Sequence, residues 1–173
     1  MTEPMTPEEK ASLDKKLKGV RIPYHVVKEA DGNLTEEERK LLLAELKSIF
    51  AYTGIMLPQT VALDDGTEIK LKELVWSLIS KSELTDVEVV AARQLAEILS
   101  RRAEDNRALI ERFEITEDEA EKLFFLTAGL MRAIMELRGL GVKEREEEYA
   151  KIARERHIDD ARKILDFFKT VQL

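Results

Sequence analysis

The chain has 173 residues, a formal net charge of −7 and no cysteine, which is the size of one domain with short appendages. Without cysteine it cannot form disulfides, use a thiolate nucleophile or bind zinc through thiolates. No region is basic, so the electrostatic footprint of proteins that bind nucleic acid or anionic membranes is missing. The first residues lack the basic and apolar regions of a signal peptide, and no apolar run approaches the ~18 residues of a membrane span. We expect a soluble cytoplasmic protein.

The first 34 residues carry few features that would hold them to a core. Thr6-Pro7 predicts a helix start, but the helix that follows has only Leu13 and Leu17 to bury. Residues 20–33 show no helical period. We therefore expect residues 1–34 to form a loosely packed N-terminal arm.

Three Thr-x-x-Glu capping boxes predict helix starts beyond this arm. They are Thr35 with Glu38, Thr85 with Glu88, and Thr116 with Glu119. The apolar stripe of the second of these helices comprises Ala91, Leu95, Ile98, Leu99, Leu109, Ile110 and Phe113. Arg102 and Asn106 interrupt that stripe, which predicts either a buried polar layer or a helix that kinks or leaves the core. We favour the second interpretation.

Residues 61–71 give the one β-hairpin signal in the sequence. A loop with Gly66 in the left-handed conformation pairs Leu63 with Thr67 and places the apolar residues of both strands on one face. In the short helix that follows, Trp76 lies away from the centre of the apolar stripe. Its ring is either packed beneath the hairpin or exposed as an anchor for a partner, since tryptophan is enriched at binding hot spots.

The helix between Thr116 and Gly139 is the most apolar in the sequence, and we expect it to be the central strut of the domain. Its stripe comprises Ala120, Leu123, Phe124, Thr127, Leu130, Met131, Ile134 and Leu137. The opposite face, called the Gly129 face below, carries Phe125, Gly129 and Arg132. A glycine inside a helix costs roughly 0.8–1 kcal/mol relative to alanine, but it lets another backbone come close. Either another part of the chain covers this face or a partner docks on it.

Residues 142–173 predict a last helix after a hinge at Leu140-Gly141. Because short connections favour antiparallel neighbours, we expect this helix to fold back and cover the Gly129 face. Glu146 or Glu148 would then lie at the height of Arg132. The competing arrangement is a homodimer in which the last helix reaches the strut of a second subunit.

Residues suited to catalysis or metal binding are few and isolated. His25 and His157 are far apart and neither belongs to the Glu-x-x-His pair of di-iron bundles. Glu111, Glu114 and Glu117 have the three-residue step of the carboxylates that hold Mg²⁺ in all-α phosphohydrolases, but they span a predicted helix break. A solvated acidic turn is the better interpretation. We expect no catalytic residue, no metal and no cofactor, and keep a Mg²⁺-dependent all-α phosphohydrolase as the alternative function.

The second half of the chain resembles a known family through a set of spaced residues. These are Arg101-Arg102, Leu109, Ile115-Thr116, Glu119-Ala120, Gly129, Arg132-Ala133, Leu137, Leu140-Gly141, Lys163 and Phe167-Phe168-Lys169. The arrangement is similar to an uncharacterised archaeal family, number 5788 among the domains of unknown function, over roughly residues 36–173. The resemblance implies an archaeal, cytoplasmic, mainly helical protein and carries no activity with it.

The sequence thus predicts an all-α bundle of about five helices with one short β-hairpin. Its parts are the arm 1–34, a helical core 35–141 and a C-terminal helix 142–173. The leading function is protein interaction or scaffolding through helix faces, with the chain itself or another protein as partner. The interaction candidates are Trp76, Phe125, Gly129 and Arg132. A nucleic-acid-associated protein is a third possibility, which the missing basic patches disfavour.

Overall fold

The computed structural model describes residues 2–20, 32–47, 55–63 and 65–141. Within these ranges the chain forms five α-helices and one two-stranded antiparallel hairpin, which confirms the expected all-α fold with a short hairpin. The helices are α1 Pro7–Leu17, α2 Glu36–Leu46, α3 Leu71–Ile79, α4 Asp86–Arg112 and α5 Glu117–Gly139, and the strands are β1 Val61–Ala62 and β2 Glu68–Ile69.

The chain divides into two compact units, Met1–Arg138 and Gly139–Leu173. Nearly all the described residues belong to the first unit. The predicted C-terminal helix 142–173 lies outside the described residues, as does its proposed packing on the Gly129 face.

Four of the helices begin at a reciprocal Thr-x-x-Glu box. The threonine hydroxyl accepts a hydrogen bond from the glutamate N–H, and the glutamate carboxylate accepts one from the threonine N–H. The pairs are Thr6 with Glu9, Thr35 with Glu38, Thr85 with Glu88, and Thr116 with Glu119. The three boxes predicted from the sequence are therefore confirmed, and each sets its helix start within one residue.

Helix α4 stays in the core along its length, so the expectation that it leaves the core near Arg102 and Asn106 is wrong. Asn106 is only 1% exposed, and its Oδ1 accepts a hydrogen bond of 2.9 Å from Lys16 Nζ. The buried stripe comprises Ala92, Ala96, Leu99, Ala103, Asn106 and Ile110. The predicted stripe was centred about one residue away, on larger side chains, and Ala91 is in fact exposed. Small alanines mark the buried line because they let neighbouring backbones approach.

The connection between α4 and α5 is hydrogen-bonded by the backbone on both sides. On one side Glu3 donates to the Arg112 carbonyl at 2.9 Å and accepts from the Glu114 N–H at 2.9 Å. On the other side Leu34 donates to the Ile115 carbonyl at 3.0 Å. The connection is thus the middle of three short extended segments, two of which come from the first 34 residues.

Helix α1 packs against the core, in contrast to the loosely packed arm expected from the sequence. Leu13 and Leu17 are both buried, and Lys10 Nζ donates a hydrogen bond to Glu119 Oε1. The two leucines hold the helix together with the Lys10–Glu119 ion pair and the backbone hydrogen bonds of Glu3. Residues 21–31 lie outside the described residues, and a domain boundary at residue 34 stays a prediction.

The hairpin has the pairing expected from its sequence. Leu63 donates to the Thr67 carbonyl at 2.7 Å, and Gly66 has a φ of +82°, the left-handed conformation that glycine adopts without steric cost. Val61 lies opposite Ile69. The hairpin leads directly into α3.

Glu119 gives the first testable prediction, because one carboxylate caps α5 and binds α1. Burial alone would raise the pKa of Glu119, but hydrogen bonds from Lys10 and Thr116 outweigh it and lower that pKa below its ordinary value. The ionised form therefore stabilises the fold above about pH 4.5, and this contribution is lost as the pH falls through the lowered pKa. Glu119→Gln keeps the cap, since glutamine also completes a capping box, but loses the ion pair.

We expect Glu119→Gln to lower the free energy of unfolding by about 1 kcal/mol at neutral pH, measured by urea denaturation followed by circular dichroism. The gap to wild type should narrow when the measurement is repeated in acid, at a pH below the lowered pKa of Glu119. Glu121→Gln, in the same helix, is the control and should change stability by less than about 0.5 kcal/mol. A gap that is the same at both pH values would contradict the assignment.

Candidate functional site

The Gly129 face of α5 is covered by a segment of the same chain, residues 55–58. A Cβ atom built on Gly129 would lie 2.9 Å from Pro58 Cδ and 3.1 Å from the Met56 carbonyl oxygen. The first distance is too short for a methyl group, and the second would require the Met56 carbonyl to move by a few tenths of an ångström, so glycine suits this close approach. The glycine therefore serves an internal contact.

Arg132 holds the same segment from one helical turn further on. Its Nη1 donates a hydrogen bond to the carbonyl oxygen of Ile55. The acceptor expected from the sequence was a carboxylate, Glu146 or Glu148, and both of these lie outside the described residues. A charge-assisted bond to a carbonyl satisfies part of the guanidinium and ties down the chain that leads to the hairpin.

Phe125, the third residue of the Gly129 face, lies at the edge of the core. It is partly buried, and its ring meets that of Phe124 edge to face, with centroids 5.5 Å apart and planes at 89°. The structure thus brings Phe125, Gly129 and Arg132 together on one face of α5, as predicted. Sequence reasoning missed the segment 55–58, which covers Gly129 and accepts the hydrogen bond of Arg132. The signal was Leu57-Pro58, since a proline ring without an N–H can pack flat in a glycine notch.

Trp76 lies elsewhere, on α3, and is 57% exposed. The opposite side of α3 is anchored by Leu71, Val75 and Leu78, which are all buried. A ring packed beneath the hairpin would be covered, so that interpretation does not hold for Trp76. The side chain is instead a large apolar surface on a firmly held helix.

The two serines near Trp76 direct their hydroxyl groups to carbonyls of their own helix. The Ser77 hydroxyl donates to the Leu74 carbonyl at 2.8 Å, and the Ser80 hydroxyl donates to the Ser77 carbonyl at 3.2 Å. Both exposed serines are thus hydrogen-bonded to their own helix. This side of α3 therefore presents an indole and two short side chains with internally bonded hydroxyls.

The first turns of α4 expose further apolar side chains that sequence reasoning did not single out. Val87 is 78% exposed and Val90 51% exposed. They follow each other at i and i+3, which places them on one side of the helix, away from the buried alanine line. Glu88 lies between them in the sequence and accepts a hydrogen bond from Lys81. This hydrogen bond and the one from the Thr85 backbone N–H lower the pKa of Glu88 to about 2.

The acidic residues considered for Mg²⁺ do not form a metal site in the part of the chain that the structure describes. Glu111, Glu114 and Glu117 flank the α4–α5 connection, and no group of three or more histidine, aspartate or glutamate side chains there could hold a metal ion. The backbone N–H of Glu114 bonds Glu3 instead. His25 and His157 lie outside the described residues.

Among the described helices, none is long and apolar enough to cross a membrane. A family model described as a family of unknown function (DUF5788) matches residues 34–169. No curated protein and no solved structure matches the chain.

The contact at Gly129 yields a second prediction, in which one added methyl group destabilises the protein. Gly129→Ala should lower the free energy of unfolding by up to about 2 kcal/mol, because overpacking costs about 1–3 kcal/mol and the helix-propensity gain of about 1 kcal/mol offsets only part of it. Thermal unfolding followed by circular dichroism measures the change.

Gly139→Ala at the end of α5 is the matched control, since nothing lies within 4 Å of a Cβ built there. That variant should be neutral or slightly stabilised. Equal effects of the two substitutions would show that Pro58 does not occupy the Gly129 notch.

Proposed function

The chain belongs to the DUF5788 family of unknown function, and from its structure we propose that it is a cytoplasmic protein-interaction domain that binds another protein through the Trp76 side of α3. The observation that carries this proposal is the exposure of the one tryptophan in the sequence. Burial of a large indole on binding gives a strong hydrophobic contribution, which is why tryptophan dominates many interface hot spots.

Rigidity of the surrounding helix supports this role. Because the buried residues on the other side of α3 fix its position, little conformational entropy is lost when a partner covers Trp76. The serine hydroxyls already bond to helix carbonyls, so their hydrogen bonds survive burial. A partner therefore needs an apolar side chain over the indole and no replacement for those two bonds.

The Gly129 face is a weaker candidate for the same role. Residues 55–58 already fill the glycine notch, and Arg132 is bonded to Ile55. A partner would have to displace this segment before it could reach α5. We therefore assign the contact with other proteins to Trp76 and an internal structural role to Gly129 and Arg132.

The indole fluorescence tests the proposal directly, because Trp76 is the only tryptophan. In the free protein we expect emission typical of a solvent-exposed indole and ready quenching by acrylamide. A protein recovered by photo-crosslinking in native cell extract, from a photoreactive residue at position 76, should shift the emission to shorter wavelength and reduce quenching when purified and added back.

A crosslinker at Leu41 is the matched control, since Leu41 is 70% exposed on α2 but stands outside the proposed contact. The purified partner should bind Trp76→Ala at least about tenfold more weakly than wild type, as expected for a hot spot. Leu41→Ala should bind like wild type. Equal crosslinking from positions 41 and 76, or unchanged binding by Trp76→Ala, would refute the proposal.

A further inference from the structure

We draw no further inference here: the strongest candidate, the exposed apolar face that Val87 and Val90 form on the first turns of α4, supports no proposal because nothing in the part of the chain that the structure describes shows what covers it.

Discussion

The backbone hydrogen bonds on both sides of the α4–α5 connection are the constraint on which the rest of the first unit depends. Glu3 holds one side, while Leu34 holds the other. Because such bonds leave few orientations for the segment between them, they fix where α5 starts. They also bring together the two ends of the first 34 residues, so that α1 and α2 are positioned from a single point.

A second constraint acts further along α5, on the segment that leads to the proposed binding surface. The Gly129 notch receives Pro58, and Arg132 binds the Ile55 carbonyl. Those residues precede the hairpin, which runs directly into α3. These contacts hold on α5 the segment that precedes the hairpin and the helix that carries Trp76. Gly129, which the sequence offered as a docking site for a partner, thus has an internal role: it holds the segment that leads to α3.

Local features of the fold could be predicted from the sequence, and long-range contacts could not. A capping box involves residues three apart, so Thr85 and Glu88 predict a helix start without any tertiary information. Gly66 likewise specifies its own turn. The cover of Gly129 comes from a segment about 70 residues away in sequence, and the Leu57-Pro58 pattern alone does not indicate which helix it packs against. The predicted stripe of α4 was misplaced because alanines such as Ala92 and Ala96 add little to a hydrophobic pattern, although their small side chains allow close packing.

Glu119 divides its two carboxylate oxygens between different parts of the fold. Oε1 accepts from Lys10, and Oε2 accepts from the Thr116 N–H that opens α5. Fraying of the first turn of α5 therefore weakens the hold on α1, and departure of α1 removes a neighbour that orients the cap. These shared contacts couple the opening of α1 to that of the first turn of α5, so we expect amide exchange in the two segments to rise together.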